Sequence, residues 1–285
     1  MFDLDGTILD HVKGISPRVV AGLQALREAG VATAVCSGRP RGLVRGCVTD
    51  AGCMDYFVTA NGACVTDKDL NVLIRRPIPQ KDALALYERL KPLKAFWRIH
   101  TGEDTYAEMG GFSYMAAGTP DAGGKSLVPL VKKLFSFKTG RMPAWHNRPS
   151  ALPGLRRATD GVEKMDCSFP SPENMAVAER IMEQQGIWEY AEMGEAELEV
   201  TLKGVTKGTG AEVLASYLGV PIERTVSFGD GGNDLPLIGH VGHFVAMGNA
   251  TPELKEQADE ECPTIEEDGV AVWIEQVLAE AASSR

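Results

Sequence analysis

No run in this 285-residue chain approaches the ~20 consecutive apolar residues that a membrane-spanning helix needs, so no transmembrane segment is expected. The six cysteines include no CxxC pair. Several sit inside apolar runs and read as reduced core residues. Histidine is scarce, at five residues. His240 and His243 lie close together, but no further His or Cys supports them, so they read as surface residues and not as zinc ligands. Basic residues are in deficit, 29 against 39 acidic, for a net charge of -10. That argues against nonspecific nucleic-acid binding, which needs a basic surface. It leaves room for a small anionic substrate, because a local cationic pocket can outweigh a distant acidic surface. With an acidic residue at position three, no secretory signal is expected at the start of this sequence. The expectation is a soluble cytoplasmic protein, monomer or homodimer, with neither nucleic acid nor membrane as partner.

What is present is an ordinary globular composition, 44% hydrophobic and 24% charged, at a length that suits two domains. Short apolar runs end in polar or glycine-rich turns at both ends of the chain. Val31 to Cys36 leads into Ser37-Gly38-Arg39, Tyr56 to Thr59 into Ala60-Asn61-Gly62, Thr225 to Phe228 into Gly229-Asp230, and Phe244 to Met247 into Gly248-Asn249. Unbroken runs of this length suit strands buried on both faces. Between them, Ser16-Pro17 opens a helix that Gly30 closes. Gly208 to Tyr217 and Glu267 to Ala282 carry helical spacing as well. Alternating strands and helices predict a doubly wound parallel sheet of Rossmann-like α/β class over residues 1–80 and 200–285. Residues 81–199 read as an inserted α+β module. Within it, Phe96 to His100 and Asp104 to Ala107 form a hairpin. Pro143, Pro149 and Pro153-Gly154 mark a long loop, and Ser171-Pro172 starts a helix ending near Gly186. Gly118 to Ser126 imitates a phosphate-binding loop, but its glycines are misplaced and no strand precedes it.

In doubly wound sheets, ligands bind beyond the carboxyl ends of the strands. Asp3, Ser37, Asn61 and Asp230 would therefore gather on one rim. Asp3 and Asp5 can reach the same site if the chain turns at Gly6, and Asp230 and Asp234 add a second acidic pair. Four carboxylates collected there need a cation among them. Oxygen donors without His or Cys suit a hard ion, Mg2+ before others, and Mg2+ commonly shares its coordination with substrate phosphate. The chemistry pointed to is phosphoryl transfer.

The motifs Asp3-Leu4-Asp5-Gly6-Thr7, Ser37-Gly38-Arg39, Lys207 and Gly229-Asp230-Gly231-Gly232-Asn233-Asp234 resemble, in order, the four motifs of the haloacid-dehalogenase-like superfamily. Ala60-Asn61-Gly62-Ala63, Gly204-Val205-Thr206-Lys207-Gly208 and Ala246-Met247-Gly248-Asn249-Ala250 resemble its Cof-like phosphatases with a type IIB cap. The resemblance implies that Asp3 is the nucleophile, forming an acyl phosphate. Asp5 is then the general acid and base, offering the metal only its backbone carbonyl. Lys207 neutralises nucleophile and phosphate. Asp230 binds Mg2+ directly, and Asp234 directly or through water. Leu4, Ser37, Gly38, Asn61 and Asn233 would contact phosphate or substrate, while Arg39 stands between that role and a structural one. The implied activity is Mg2+-dependent hydrolysis of a small phosphorylated metabolite. A phosphomutase of the same superfamily is the alternative, and a noncatalytic phosphometabolite binder a more distant one. Family members usually place several apolar residues before the first Asp, where this sequence has Met1 and Phe2. The expectation is that the natural strand starts several residues earlier, since two residues make a poor central strand.

Overall fold

The computed structural model describes residues 1–283 apart from 11–13, 45, 47, 103 and 109–143. The loop-like run Gly118 to Ser126 and Pro143 fall outside the described residues. Two compact units are present, one of residues 1–39, 44–74 and 206–285, the other of residues 40–43 and 75–205.

In the first unit, Ala34–Cys36 pairs in parallel with Tyr56–Thr59, with Val35 opposite Phe57. Val226–Gly229 pairs in parallel with His243–Ala246, and that strand with Glu260–Glu261. The start of the chain joins the two groups, because Phe2 bridges in parallel to both Val35 and Phe228. Only three residues supply this central position, yet both sides are hydrogen-bonded. The amine of Met1 donates to Val226 O at 2.6 Å and the N–H of Asp3 to Phe228 O at 3.0 Å. Phe2 N–H donates to Ala34 O, and its own carbonyl accepts from Cys36 N–H, each at 2.8 Å. The flanking strands span three and four residues, so they present few backbone groups to satisfy. The Phe2 ring stacks on Phe228 at 5.1 Å, and Phe228 meets Trp273 edge-on at 5.0 Å.

One edge departs from the all-parallel expectation. Cys64–Asp67 runs antiparallel to Tyr56–Thr59, and Val72–Arg75 follows it at the margin. Its turn is closed by Asp67, whose Oδ1 accepts from the N–H groups of Asp69 and Asn71. The helix Pro17–Glu28 has Ser16 as N-cap, accepting from Val19 N–H. It packs with Gly269–Ser283 through Gly22 beside Ile274.

In the second unit the strand order is 144–148, 104–108, 96–101, 164–168, 197–202, 188–192. Because side chains alternate, Trp97, Ile99, Met165, Cys167, Leu198 and Val200 form one buried apolar face. The helices Gln80–Leu90, Leu152–Arg157 and Pro172–Gln185 cover it. The register puts Arg98 beside Asp166 and Asp166 beside Glu199 on the opposite face. There Lys164 reaches Asp166 at 3.1 Å and Glu199, while His100 Nε2 lies 2.9 Å from Asp166. Burial alone would raise the Asp166 carboxyl, but Lys164, His100 and Arg98 hold it well below the usual carboxylate range.

The proline-marked loop is a correction. Ala144–Arg148 is a strand, parallel to Asp104–Glu108, and Leu152–Arg157 is a helix. Pro153 falls in the first helical turn, where its missing N–H leaves no hydrogen bond unmade. No helix among the described residues is long and apolar enough to cross a membrane.

Candidate active site

Asp3 ends the central segment, and the chain then turns tightly. The Leu4 carbonyl accepts from the N–H groups of Thr7, Ile8 and Leu9 at 3.2, 3.1 and 2.8 Å. The Leu4 side chain is fully buried, so only its backbone can take part in binding. Gly6 is required here twice over. Its φ is +89°, and a Cβ would sit 2.2 Å from Asp230 Oδ2. This close approach lets Thr7 Oγ1 donate to Asp230 Oδ1 at 3.0 Å. One carboxylate oxygen from each of Asp3, Asp230 and Asp234 falls within 4.8 Å of the others.

Lys207 enters from the first turn of the helix Lys207–Leu218, whose N-cap Thr206 forms a reciprocal capping pair with Thr209. Its Nζ donates to Asp3 Oδ1 and Asp234 Oδ1, each at 2.6 Å, and its side chain is entirely buried. The helix is held there by the turn Ala60–Gly62. At Gly62, φ is +90° and a Cβ would meet Thr206 O at 2.1 Å. Ala60 and Asn61 are left-handed too, with φ of 51° and 52°. Such a conformation costs an ordinary side chain about 1–2 kcal/mol. Bonds from Ala60 N–H to Arg39 O at 2.8 Å and from Asn61 N–H to Ser37 O at 3.2 Å tie the turn to the loop carrying Ser37. Ser37 and Gly38 are buried, and Ser37 Oγ accepts from Arg39 N–H at 3.2 Å. The hydroxyl still has a proton to donate.

Asp234 has a different situation from the other acids. Its Oδ2 accepts from the N–H groups of Asp230 and Gly231 at 3.0 and 3.1 Å, and Lys207 holds Oδ1. Asp234 therefore fixes both the Gly229–Asp234 turn and the lysine. Asn233 lies half-buried on the same turn. Asp5 is not in the three-carboxylate cluster. Its carboxyl is taken by Arg39. Two contributors escaped the sequence reading as individual roles, although both lie in the quoted motifs. Thr7 orients Asp230, and Asn249 donates from Nδ2 to Gly6 O at 2.8 Å while accepting from Ile265 N–H at 2.9 Å. His240 and His243 sit apart from this site, paired to Glu212 and Glu260 respectively.

Burial pushes Asp3 up to about 8, with Asp234 adding to the effect and Lys207 pulling against it. Burial, then the charge of Asp234, push Asp230 up to about 6. Burial would lower the Lys207 ammonium, but Asp234 and Asp3 more than offset it and raise it. With all three acids ionised, three carboxylates against the Lys207 ammonium leave two negative charges, which a divalent cation would neutralise. The donors are all oxygen, fitting a hard cation.

Residues 1–274 match the sequence model of the haloacid dehalogenase-like hydrolases, and the chain belongs to that family. It is 27% identical over 258 residues to an HMP-PP phosphatase of Yersinia pestis, covering 90% of this chain and 85% of that one. Among solved structures, a haloacid dehalogenase-like hydrolase from B. subtilis aligns with a TM-score of 0.81 at 22% identity, covering 96% of this chain and 97% of the other. A sugar phosphatase of HAD subclass IIB aligns with a TM-score of 0.75 at 23% identity, covering 97% of both chains. These likenesses show the fold, an α/β Rossmann-like core with a cap, as in haloacid dehalogenase-like hydrolases.

Proposed function

We propose that this enzyme is a Mg2+-dependent phosphatase that hydrolyses small phosphate monoesters through a phosphoaspartyl intermediate on Asp3. One observation carries the reading: the buried ammonium of Lys207 lies 2.6 Å from both Asp3 and Asp234, beside Asp230. A pure binder of phosphate would have no use for a carboxylate held at the centre of its anion site. The relatives named for HMP-PP and for sugar phosphates support a small phosphorylated metabolite as substrate.

Asp3 and Asp230 would hold the cation, with Asp234 contributing directly or through water. Mg2+ there would screen the repulsion between an anionic nucleophile and an anionic phosphate. An Asp3 carboxylate oxygen bonds to phosphorus as the bond to the leaving oxygen breaks, and Asp5 gives that oxygen its proton. Water then attacks phosphorus, Asp5 takes a proton from it, and phosphate leaves Asp3. Lys207 balances charge on Asp3 throughout. Ser37, Gly38, Asn61, Asn233 and the Leu4 backbone would orient phosphate and substrate. Residues 75–205 would serve as the cap.

The test is phosphate release from a panel of phosphate monoesters, with Mg2+ and with excess EDTA. Release with Mg2+, and its loss in EDTA, is expected. Full activity in EDTA contradicts the cofactor, and turnover that requires an added bisphosphate points to the mutase.

The same cluster predicts a pH-dependent stabilisation by metal. Without a cation, Asp230 titrates at about 6 when folded, above its ordinary 3.8. Its contribution to stability is present below the unfolded value and is lost as pH rises through about 6. Cation binding needs the ionised carboxylates. The gain in Tm from saturating Mg2+ should therefore grow between about pH 5 and about pH 8, as followed by thermal melts. A gain that is constant or shrinks over that range contradicts the assignment.

A further inference from the structure

The Arg39 guanidinium is not free to serve as an anchor for phosphate. Its Nε donates to Asp5 Oδ2 at 2.6 Å and its Nη2 to Asp5 Oδ1 at 2.5 Å. Two parallel bonds of this kind fix the plane as well as the position of a carboxyl group, which a single ammonium contact cannot do. The side chains are 22% and 33% exposed, so the pair is partly shielded from the solvent competition that makes surface ion pairs weak. The backbone beneath the guanidinium is held at both ends. Arg39 N–H donates to Ser37 Oγ at 3.2 Å, and Arg39 O accepts from Ala60 N–H at 2.8 Å.

The placement matters because of what lies beside Asp5 in sequence. Asp3, two residues before it, is in the carboxylate cluster, and Thr7, two residues after it, bonds to Asp230 of that cluster. Asp5 sits between them yet remains outside. A hard divalent ion recruits carboxylates within reach, and a carboxyl bound to a cation cannot carry protons to and from substrate.

We infer that Arg39 is a positioning residue for Asp5, holding its carboxyl away from the cation site and available for proton transfer to the leaving oxygen. The inference rests on the reading of Asp5 as general acid. A neutral carboxyl can keep one bond from Arg39 while its O–H donates to substrate, so the restraint serves both halves of the reaction.

The experiment compares kcat/KM for p-nitrophenyl phosphate, whose leaving group needs little protonation, with that for an alkyl phosphate, whose leaving group needs it fully. Asp5→Asn, Arg39→Ala and Arg39→Lys are measured against the unaltered chain, and Mn2+ affinity is titrated by electron paramagnetic resonance. Arg39→Ala should lose roughly 10²-fold on the alkyl ester and far less on the aryl ester, in the pattern of Asp5→Asn. Arg39→Lys keeps the charge without the fork and should show the same leaving-group dependence. Mn2+ should bind several-fold more tightly to Arg39→Ala, because Asp5 is released towards the ion. Equal losses on the two esters in both Arg39 variants, or no loss in either, overturns the inference, as does Mn2+ affinity no higher than that of the unaltered chain. If Asp5→Asn itself shows no leaving-group dependence, the reading of Asp5 fails, an outcome distinct from failure of the Arg39 assignment.

Discussion

Asp3→Asn is expected to lower kcat by several orders of magnitude with little change in Tm. The amide nitrogen and oxygen are poor nucleophiles toward phosphorus, and losing a covalent nucleophile removes the whole double-displacement route. The fold should tolerate the change. Asp3 is buried, and its carboxyl carries a desolvation cost that a neutral amide does not. Lys207 keeps Asp234 as partner. Steady-state phosphate release and a thermal melt on the same preparation make the check. Retention of more than about a tenth of the original kcat would rule out Asp3 as nucleophile.

Lys207→Ala should damage both stability and activity. The lysine's ammonium lies between two buried carboxylates, at 2.6 Å from each. Removing one partner of a buried pair typically costs about 3–5 kcal/mol, because the remaining charge is left without compensation. Asp3 titrates above the usual carboxylate range even with Lys207 present. Without it, Asp3 should favour the protonated form more strongly, so the stability loss should be greatest at high pH and partly relieved as pH falls. Activity should fall by about 10²–10³-fold, as when one preorganised charge-stabilising group is removed. Denaturant unfolding at two pH values tests the first part. A loss of stability independent of pH would mean that Lys207 acts through packing.

Much of the architecture could be read from local sequence because several signals agreed. Ser16-Pro17 before an amphipathic run, and Gly186 after another, are capping chemistry that few alternatives satisfy. Apolar runs ending in polar turns gave the strands whose ends carry the site. Tertiary context decided the rest. The edge hairpin after Gly62 depends on a turn built by the Asp67 side chain, and proline-rich composition hid the strand Ala144–Arg148 and the helix Leu152–Arg157. Proline marks the ends of elements as readily as a loop. In the site, residue type and order exposed the acids and the lysine. Composition could not show that Asp234 accepts from two N–H groups and an ammonium, or that Arg39 is committed to Asp5. Nor could it show that Thr7 and Asn249 brace the turn at Gly6. The Arg39, Thr7 and Asn249 contacts span 34, 223 and 243 residues of sequence, and pattern reasoning has no period with which to find them.

Acid quenching of Asp5→Asn during turnover of a radiolabelled aryl phosphate tests the central claim most directly. The good leaving group lets the first transfer proceed, while loss of the base slows hydrolysis of the intermediate by about 10²-fold or more. The label should stay with the protein through precipitation, be released by hydroxylamine, and map after digestion to the peptide containing Asp3. A quenched protein with no covalent label, or with label on any other residue, would contradict a phosphoaspartyl enzyme built on Asp3.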